Sequence, residues 1–314
     1  MQHWDCYWQN TKTLNSFAEG EQGLGYSGDI AEFWHKVFAS QRNNARLLDL
    51  ATGNGGLAVL ALQSNASFQV CASDKANISP LQLFNEHDSS YSYLKNIQFF
   101  GNMASEQLTF SAETFELVTS QFGFEYAEPE ATLQQIHRVL VAGGKMVALV
   151  HHDQSFISVD CKIGLTVLDF FIAENGLLAK AKKFASTCQQ LQGVKVLSSE
   201  QQQLLKQQSD NLLASFVAVQ QRCDSQQLDW FTDVTKDLIP VLGNWQNLTV
   251  ETIDKIWLSL THFSQRIADQ LTATWDSNRI TLVKELAVEQ GFSVSYSTLD
   301  TKFGKLCWVF EATK

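Results

Sequence analysis

Several familiar signatures are missing from this 314-residue sequence. None of its six cysteines (Cys6, Cys71, Cys161, Cys188, Cys223 and Cys307) forms a CxxC pair. Their spacing therefore suits neither a zinc knuckle nor a compact disulfide frame, and reduced thiols in the cytoplasm are expected. No Lys/Arg cluster is present and the formal net charge is -10, which argues against a broad phosphate-binding face and against nucleic acid as substrate. The start, MQHWDCYWQN, lacks the basic-then-apolar order of a secretory signal. The longest apolar stretches, such as IGLTVLDFFIA, fall short of the ~20 residues that span a bilayer, so no membrane association is expected. At 45% hydrophobic and 18% charged, the composition suits a globular chain with a substantial core.

What is present begins at Arg46. RLLDL, FQVCAS, NIQFFGN, FELVTSQF and KMVALVHH read as strands, and GGLAVLALQS, ISPLQLFNEHD and EPEATLQQIHRVL as the helices between them. Gly143 and Gly144 are expected to stop the last of these helices. Strands alternating with helices imply right-handed crossovers and a mostly parallel sheet. Before this core, residues 1–45 form a helical cap segment. In it, EGEQGLGYSGD is a glycine-bearing loop and Asp29 a candidate helix cap. After Asp153 the texture turns helical and glutamine-rich, with Leu204, Leu205, Leu212, Leu213, Phe216 and Val217 at helical spacing, so 154–275 is read as an all-helical insertion. The alternating pattern resumes at Asp276 or Ser277 as a helix cap. Gly291 stops that helix, and FSVSYSTLD and KLCWVFEAT close the chain as a hairpin. The segments 46–153 and 276–314 together make the core.

In an open α/β sheet, ligands bind at the carboxyl ends of the strands. LDLATGNGG puts a glycine turn at that edge, directly after the first strand. Gly53, Gly55 and Ala58 satisfy the dinucleotide pattern G-x-G-x-x-A, with Asp74 about twenty residues on as the ribose-binding acid. Asp49, at the mouth of the turn, argues against a pyrophosphate because like charges repel. It suits S-adenosylmethionine, which carries an ammonium and a sulfonium and no phosphate.

On these motifs the sequence resembles the class I S-adenosylmethionine-dependent methyltransferases. Asp49, Ala51, Gly53 and Gly55 match the first motif, with Ala51 in place of the usual first glycine. Asp74 falls on the acid that takes the ribose hydroxyls, and Gly101, Asn102 and Met103 fall near the adenine, with Asn102 replacing an acid. FELV matches the fourth strand, RVLVAGGKMVALV the fifth, and the terminal hairpin the reversed seventh strand. The resemblance spans Arg46–His152 and Asp276 to the end. It implies a Rossmann-like, mostly parallel seven-stranded α/β sheet with a C-terminal antiparallel hairpin strand; the helical insertion, which enters after the fifth strand, is expected to roof the site as a substrate lid. It also implies a cofactor, S-adenosyl-L-methionine, held by Asp49, Ala51, Gly53, Asn54, Gly55, Asp74, Lys75, Asn102, Met103, Gln121 and Tyr26.

Ser120, Gln121 and Phe122 end the fourth strand, where the family transfers its methyl group. His151 and His152 finish the fifth and are the candidate catalytic bases; no third or fourth ligand accompanies them, so no metal is expected. Of the aromatic residues in the preface (Tyr7, Trp8, Tyr26 and Trp34), Tyr26 in its glycine loop is the candidate for folding over the cofactor. The expected function is methyl transfer to a small-molecule acceptor. A dinucleotide-dependent oxidoreductase, aminopropyl transfer on the same fold, and a cofactor-binding protein without turnover are the alternatives. The sequence leaves the acceptor, its reacting atom and the oligomeric state open.

Overall fold

The computed structural model describes residues 2–16 and 25–314, so part of the glycine-bearing loop expected before Asp29 lies outside the described residues. Two helices precede the sheet, α1 (Gln2–Asn10) and α2 (Gly28–Ala39). Ser27, not Asp29, is the N-cap of α2; Asp29 sits in the first turn, where its charge still complements the helix dipole.

The sheet is built from β1 (Arg46–Leu50), β2 (Gln69–Ser73), β3 (Ile97–Phe100), β4 (Phe115–Gln121), β5 (Leu140–His151), β6 (Ser293–Thr301) and β7 (Gly304–Thr313), in the order β3-β2-β1-β4-β5-β7-β6. The first five strands are parallel, and β7 lies antiparallel to both β5 and β6. The central strands β1 and β4 and the second half of β5 are buried on both faces, which is why they read as near-continuous apolar runs, whereas the edge strand β6 is largely exposed. Successive residues serve opposite sides. Leu47, Leu117, Val147 and Leu149 pack toward α2 and α3 (Gly56–Ser64). Leu48, Leu50, Val118, Met146, Ala148 and Val150 pack toward α6 (Pro129–Val139) and α12 (Ser277–Glu289). Gly56 to Leu62 of α3 are all buried, so this helix shows no polar face. Asp276 caps α12 by accepting from Arg279 N at 2.7 Å, and Gly291, at φ +95°, ends its run.

Two expectations fail locally. The helix expected over ISPLQLFNEHD shrinks to α4 (Pro80–Leu83), followed after a loop by α5 (Tyr91–Leu94). Phe84 is extended and buried. The Asn85 side chain accepts from His87 N, and the Asp88 carboxylate accepts from Asn85 N; these local bonds compete with a helical ladder. Gly143 and Gly144 do not stop a helix. That helix has already ended at Val139, and both glycines lie within β5, where the pairing with β4 shifts register.

The chain divides into two compact units, Met1–Ser158 with Thr272–Lys314, and Val159–Leu271. The second is helical: α7 (Phe156–Ile172), whose first turn belongs to the first unit, then α8 (Leu177–Leu191), α9 (Ser199–Gln220), α10 (Ser225–Gly243) and α11 (Val250–Ala273). Its core gathers Phe171, Leu178, Phe184, Phe216, Phe231 and Ile253. Capping boxes at Ser198/Gln201 and Asp224/Gln227 start α9 and α10. No helix among the described residues is long and apolar enough to cross a membrane.

Candidate functional site

The strand order reverses between β1 and β4, so their carboxyl ends part at a crevice, the position where open α/β sheets take ligands. Both chains leave that edge through a non-glycine residue in the left-handed region, Ala51 at φ +52° after β1 and Phe122 at φ +54° after β4. Such backbone is strained in L-residues and clusters at functional sites. The two loops touch: a Cβ on Gly123 would overlap that of Ala51, so only glycine lets the β4 loop lie against the β1 turn.

Asp49 is the penultimate residue of β1 and is 3% exposed. It accepts from Thr52 Oγ1 at 2.6 Å and Thr119 Oγ1 at 3.0 Å. Burial outweighs these bonds and pushes its pKa up to about 7, with the nearby Asp74 charge adding to the rise. Asp74, just past β2, reaches across to the turn. Its Oδ2 accepts from Gly53 N at 2.7 Å and its Oδ1 from Ala76 N at 2.7 Å. Burial raises it to about 6. Two carboxyl groups thus flank one glycine turn in a setting that disfavours their charge. A cation would restore it.

The remaining candidates divide. Gly53 (φ +55°) and Gly55 (φ +91°) make the turn, and Gly55 caps α3. Asn54 is fully buried and donates to the carbonyls of Thr11 (3.0 Å) and Thr13 (2.9 Å), so it holds the preface to the turn. Asn102, at φ +56°, and Met103 are tied to the Asp74 loop through Asn102 N to Ala76 O (3.1 Å) and Met103 N to Asp74 O (2.9 Å). Lys75 is exposed. Gln121 is buried, and its Oε1 accepts from Trp34 Nε1 of α2. Tyr26 packs in the core beside Gly56.

The two histidines part company, since neighbours on a strand face opposite ways. His151 stacks on Phe122 with ring centroids 4.2 Å apart, against the crevice loop. His152 stacks on Trp308 of β7 at 4.4 Å, and its Nδ1 lies 2.8 Å from Asp153 Oδ1. Only His151 joins the β1/β4 crevice. Its burial lowers its pKa to about 3, so it is a neutral imidazole.

Sequence reasoning missed Glu125, on a short 3-10 turn (Phe124–Tyr126) after β4. Its side chain is fully buried, Oε1 accepts from His151 N at 2.8 Å, and burial pushes its pKa up to about 8. The signal was visible in GFEYAEPE, an acid among apolar and aromatic residues right after the fourth strand. Trp8 was also passed over in favour of Tyr26. A Cβ on Gly53 would stand 2.5 Å from Trp8 Cη2, so the indole lies directly on the turn. Among the described residues no group of three or more His, Cys, Asp or Glu side chains is placed to hold a metal ion.

The strand order, the reversed β7 and the acid-flanked glycine turn define the fold of the class I S-adenosylmethionine-dependent methyltransferase superfamily. Within it, residues 27–168 match the model of the ubiE/COQ5 methyltransferase family. The demethylmenaquinone methyltransferase of Thermus thermophilus is 32% identical over 112 residues, which are 35% of this chain and 49% of that protein. The chain thus spans about half the length of the curated relative it matches. Among solved structures, the PH0226 protein of Pyrococcus horikoshii OT3 aligns with a TM-score of 0.35 and 21% identity, covering 46% of this chain and 65% of that one. Geranyl diphosphate C-methyltransferase of Streptomyces coelicolor A3(2) aligns at 0.33 and 16%, covering 38% and 42%.

Proposed function

We propose that this chain binds S-adenosyl-L-methionine at the β1/β4 crevice and transfers its methyl group to a small-molecule acceptor. The observation that carries the reading is the pairing of Asp49 and Asp74 about the Gly53 turn, with Asp74 bonded to Gly53 N at 2.7 Å. The cofactor supplies a methyl group already activated on a positively charged sulfur. The donor set fits it. Each Asp74 oxygen takes one backbone N–H and retains acceptor capacity for the ribose hydroxyls. Asn102 offers an amide beside the same loop for the base. Asp49, its pKa raised to about 7 and so only partly ionised when alone, becomes the fixed counter-charge once a cation is beside it. A pyrophosphate there would face two acids, which disfavours the dinucleotide reading.

The chain's own part in the reaction is alignment and exclusion of water. Phe122 and His151 form one stacked wall beside the turn, and Glu125 fixes the end of β5 by holding His151 N. His151, a neutral imidazole whose pKa of about 3 makes it a weak base, serves in this reading as part of that wall and not as the proton acceptor; His152, stacked on Trp308, is a structural residue. The net charge of -10 favours a small acceptor over nucleic acid. We further propose that turnover of the acceptor requires the helical unit Val159–Leu271, inserted in the sequence after β5, and that the protein works in the reducing cytoplasm, where its six cysteines remain free thiols. The test is transfer of isotope-labelled methyl from S-adenosylmethionine into a metabolite extract. A labelled small product is expected; saturable cofactor binding with no label in any fraction would leave a binding protein instead.

A further inference from the structure

We propose that α1 is a plug in the nucleoside cleft. Trp8 covers the face of the glycine turn that the cofactor needs, and α1 has to lift before the cofactor enters. The proposal rests on the cofactor reading of the crevice and adds an intramolecular competitor to it.

Three observations carry it. First, the indole of Trp8 lies on Gly53, within 2.5 Å of where a Cβ would stand, and is 8% exposed. It packs with Ala76 and Ile78, the residues just beyond Asp74, and with Phe99, whose ring closes over Gly55. An aromatic plane thus covers the glycine turn and the start of the loop that follows the ribose-binding acid. Second, the helix is clamped by side-chain bonds to the backbone N–H and C=O of one residue of that same loop. Asp5 Oδ1 accepts from Asn77 N at 2.8 Å, and Gln9 Nε2 donates to Asn77 O at 3.0 Å. Both bonds are exposed to solvent, so they are the kind that open readily. Third, the chain after the helix is pinned independently, because buried Asn54 holds the carbonyls of Thr11 and Thr13. Residues 11–13 therefore supply a fixed anchor about which α1 can swing without the sheet moving. The plug also reaches the acceptor side: Trp4 meets Tyr126 edge-on at 5.9 Å, and Tyr126 meets His151 at 6.4 Å. A single helix thus covers both halves of the crevice.

A competitor of this kind lowers apparent affinity by the fraction of molecules in which the cleft is open. The test is calorimetric titration of S-adenosylhomocysteine into the full-length chain, its Trp8→Ala variant and an Asp5→Ala/Gln9→Ala variant that loosens the clamp but keeps the indole, with hydrogen exchange followed over residues 2–10. Both variants are expected to bind more tightly than wild type, by on the order of tenfold. In wild type, S-adenosylhomocysteine is expected to accelerate exchange in α1, the reverse of the protection a ligand gives to elements that close over it. Equal or weaker binding by the clamp variant, or α1 becoming more protected on binding, overturns the plug and makes Trp8 a wall of the bound site. If Trp8→Ala fails to fold, the clamp variant and the exchange measurement decide alone. Absence of binding by all three proteins overturns the cofactor reading itself, and the plug with it.

Discussion

The carboxyl oxygen Oε1 of Glu125 accepts a hydrogen bond from the backbone N–H of His151 at 2.8 Å and lies 3.9 Å from Nε2 of the same residue's ring. Both side chains are buried, and burial acts on them in opposite senses. It holds Glu125 protonated up to about pH 8 and His151 deprotonated down to about pH 3. The pair is therefore neutral at physiological pH, and Cys307, across from His151 on β7, has its thiol pKa raised, first by burial and further by Glu125.

This neutrality has a pH signature. The folded state keeps the Glu125 proton to about pH 8, while the unfolded chain releases it near the ordinary glutamate value of 4.5. Its contribution is fully present below pH 4.5 and is lost as pH rises toward 8. Glu125→Gln keeps an oxygen for His151 N and removes the titration. Its stability relative to wild type is expected to grow by roughly 2–4 kcal/mol between pH 5 and pH 8. Urea denaturation at the two pH values measures this; a constant difference would show that Glu125 titrates normally. His151 works in the other direction, since a base with lowered pKa loses its contribution as pH falls from about 6.5 toward 3.

Asp74→Ala is expected to weaken S-adenosylhomocysteine binding by roughly 1.5–3 kcal/mol, the range for hydrogen bonds to a charged group. Asp74→Asn separates charge from shape, and an unfolding midpoint close to wild type confirms that the Gly53 turn survives. Unchanged affinity in a folded Asp74→Ala protein removes the ribose role.

Because Asp49 and Asp74 are raised to about 7 and about 6 in the free chain, a cationic ligand must draw protons off them. Affinity for S-adenosylmethionine is expected to rise with pH through that window, with proton release on binding. Titrations in two buffers of different ionisation enthalpy report the release directly, and a pH-independent affinity would contradict the counter-charge assignment.

Gly53→Ala places a methyl group in left-handed backbone and against the Trp8 ring. The conformational part alone is about 1–2 kcal/mol. Combining it with Trp8→Ala is expected to recover the steric part and leave the conformational one. The double-mutant cycle measures the coupling, and strict additivity would show that the indole does not lie on the turn.

Replacing Val159–Leu271 with a short linker is expected to leave a folded sheet that binds S-adenosylhomocysteine and has lost turnover. Methylation at wild-type rate by the shortened protein would refute the requirement for the helical unit.

Much of the sheet was legible because doubly buried parallel strands write themselves as short apolar runs, and Asp49, Gly53 and Asp74 were legible because a turn and its acids follow strand ends. The β7 reversal was foreshadowed by the terminal hairpin around Lys302. The helix over ISPLQLFNEHD was misread because Asn85 and Asp88 bond their own backbone, which hydrophobic period does not register. Gly143 and Gly144 were given to a helix end because glycine within a long strand marks an irregularity that sequence does not separate from a stop. The opposite fates of His151 and His152 follow from strand alternation, yet which of them meets the crevice depends on Phe122, just after β4, and Trp308 of β7. Trp8 lies 45 residues before Gly53, and their contact is set by Asp5, Gln9 and Asn54, a long-range arrangement with no local pattern.

The most direct measurement is a thermal-shift titration of the intact chain with S-adenosylhomocysteine and, in parallel, with NADH. A ligand that binds only the folded state stabilises it by about 2.7 kcal/mol at a hundred times its Kd. A saturable rise in Tm with S-adenosylhomocysteine and none with NADH is the predicted result; stabilisation by NADH with indifference to S-adenosylhomocysteine would contradict the account at its centre.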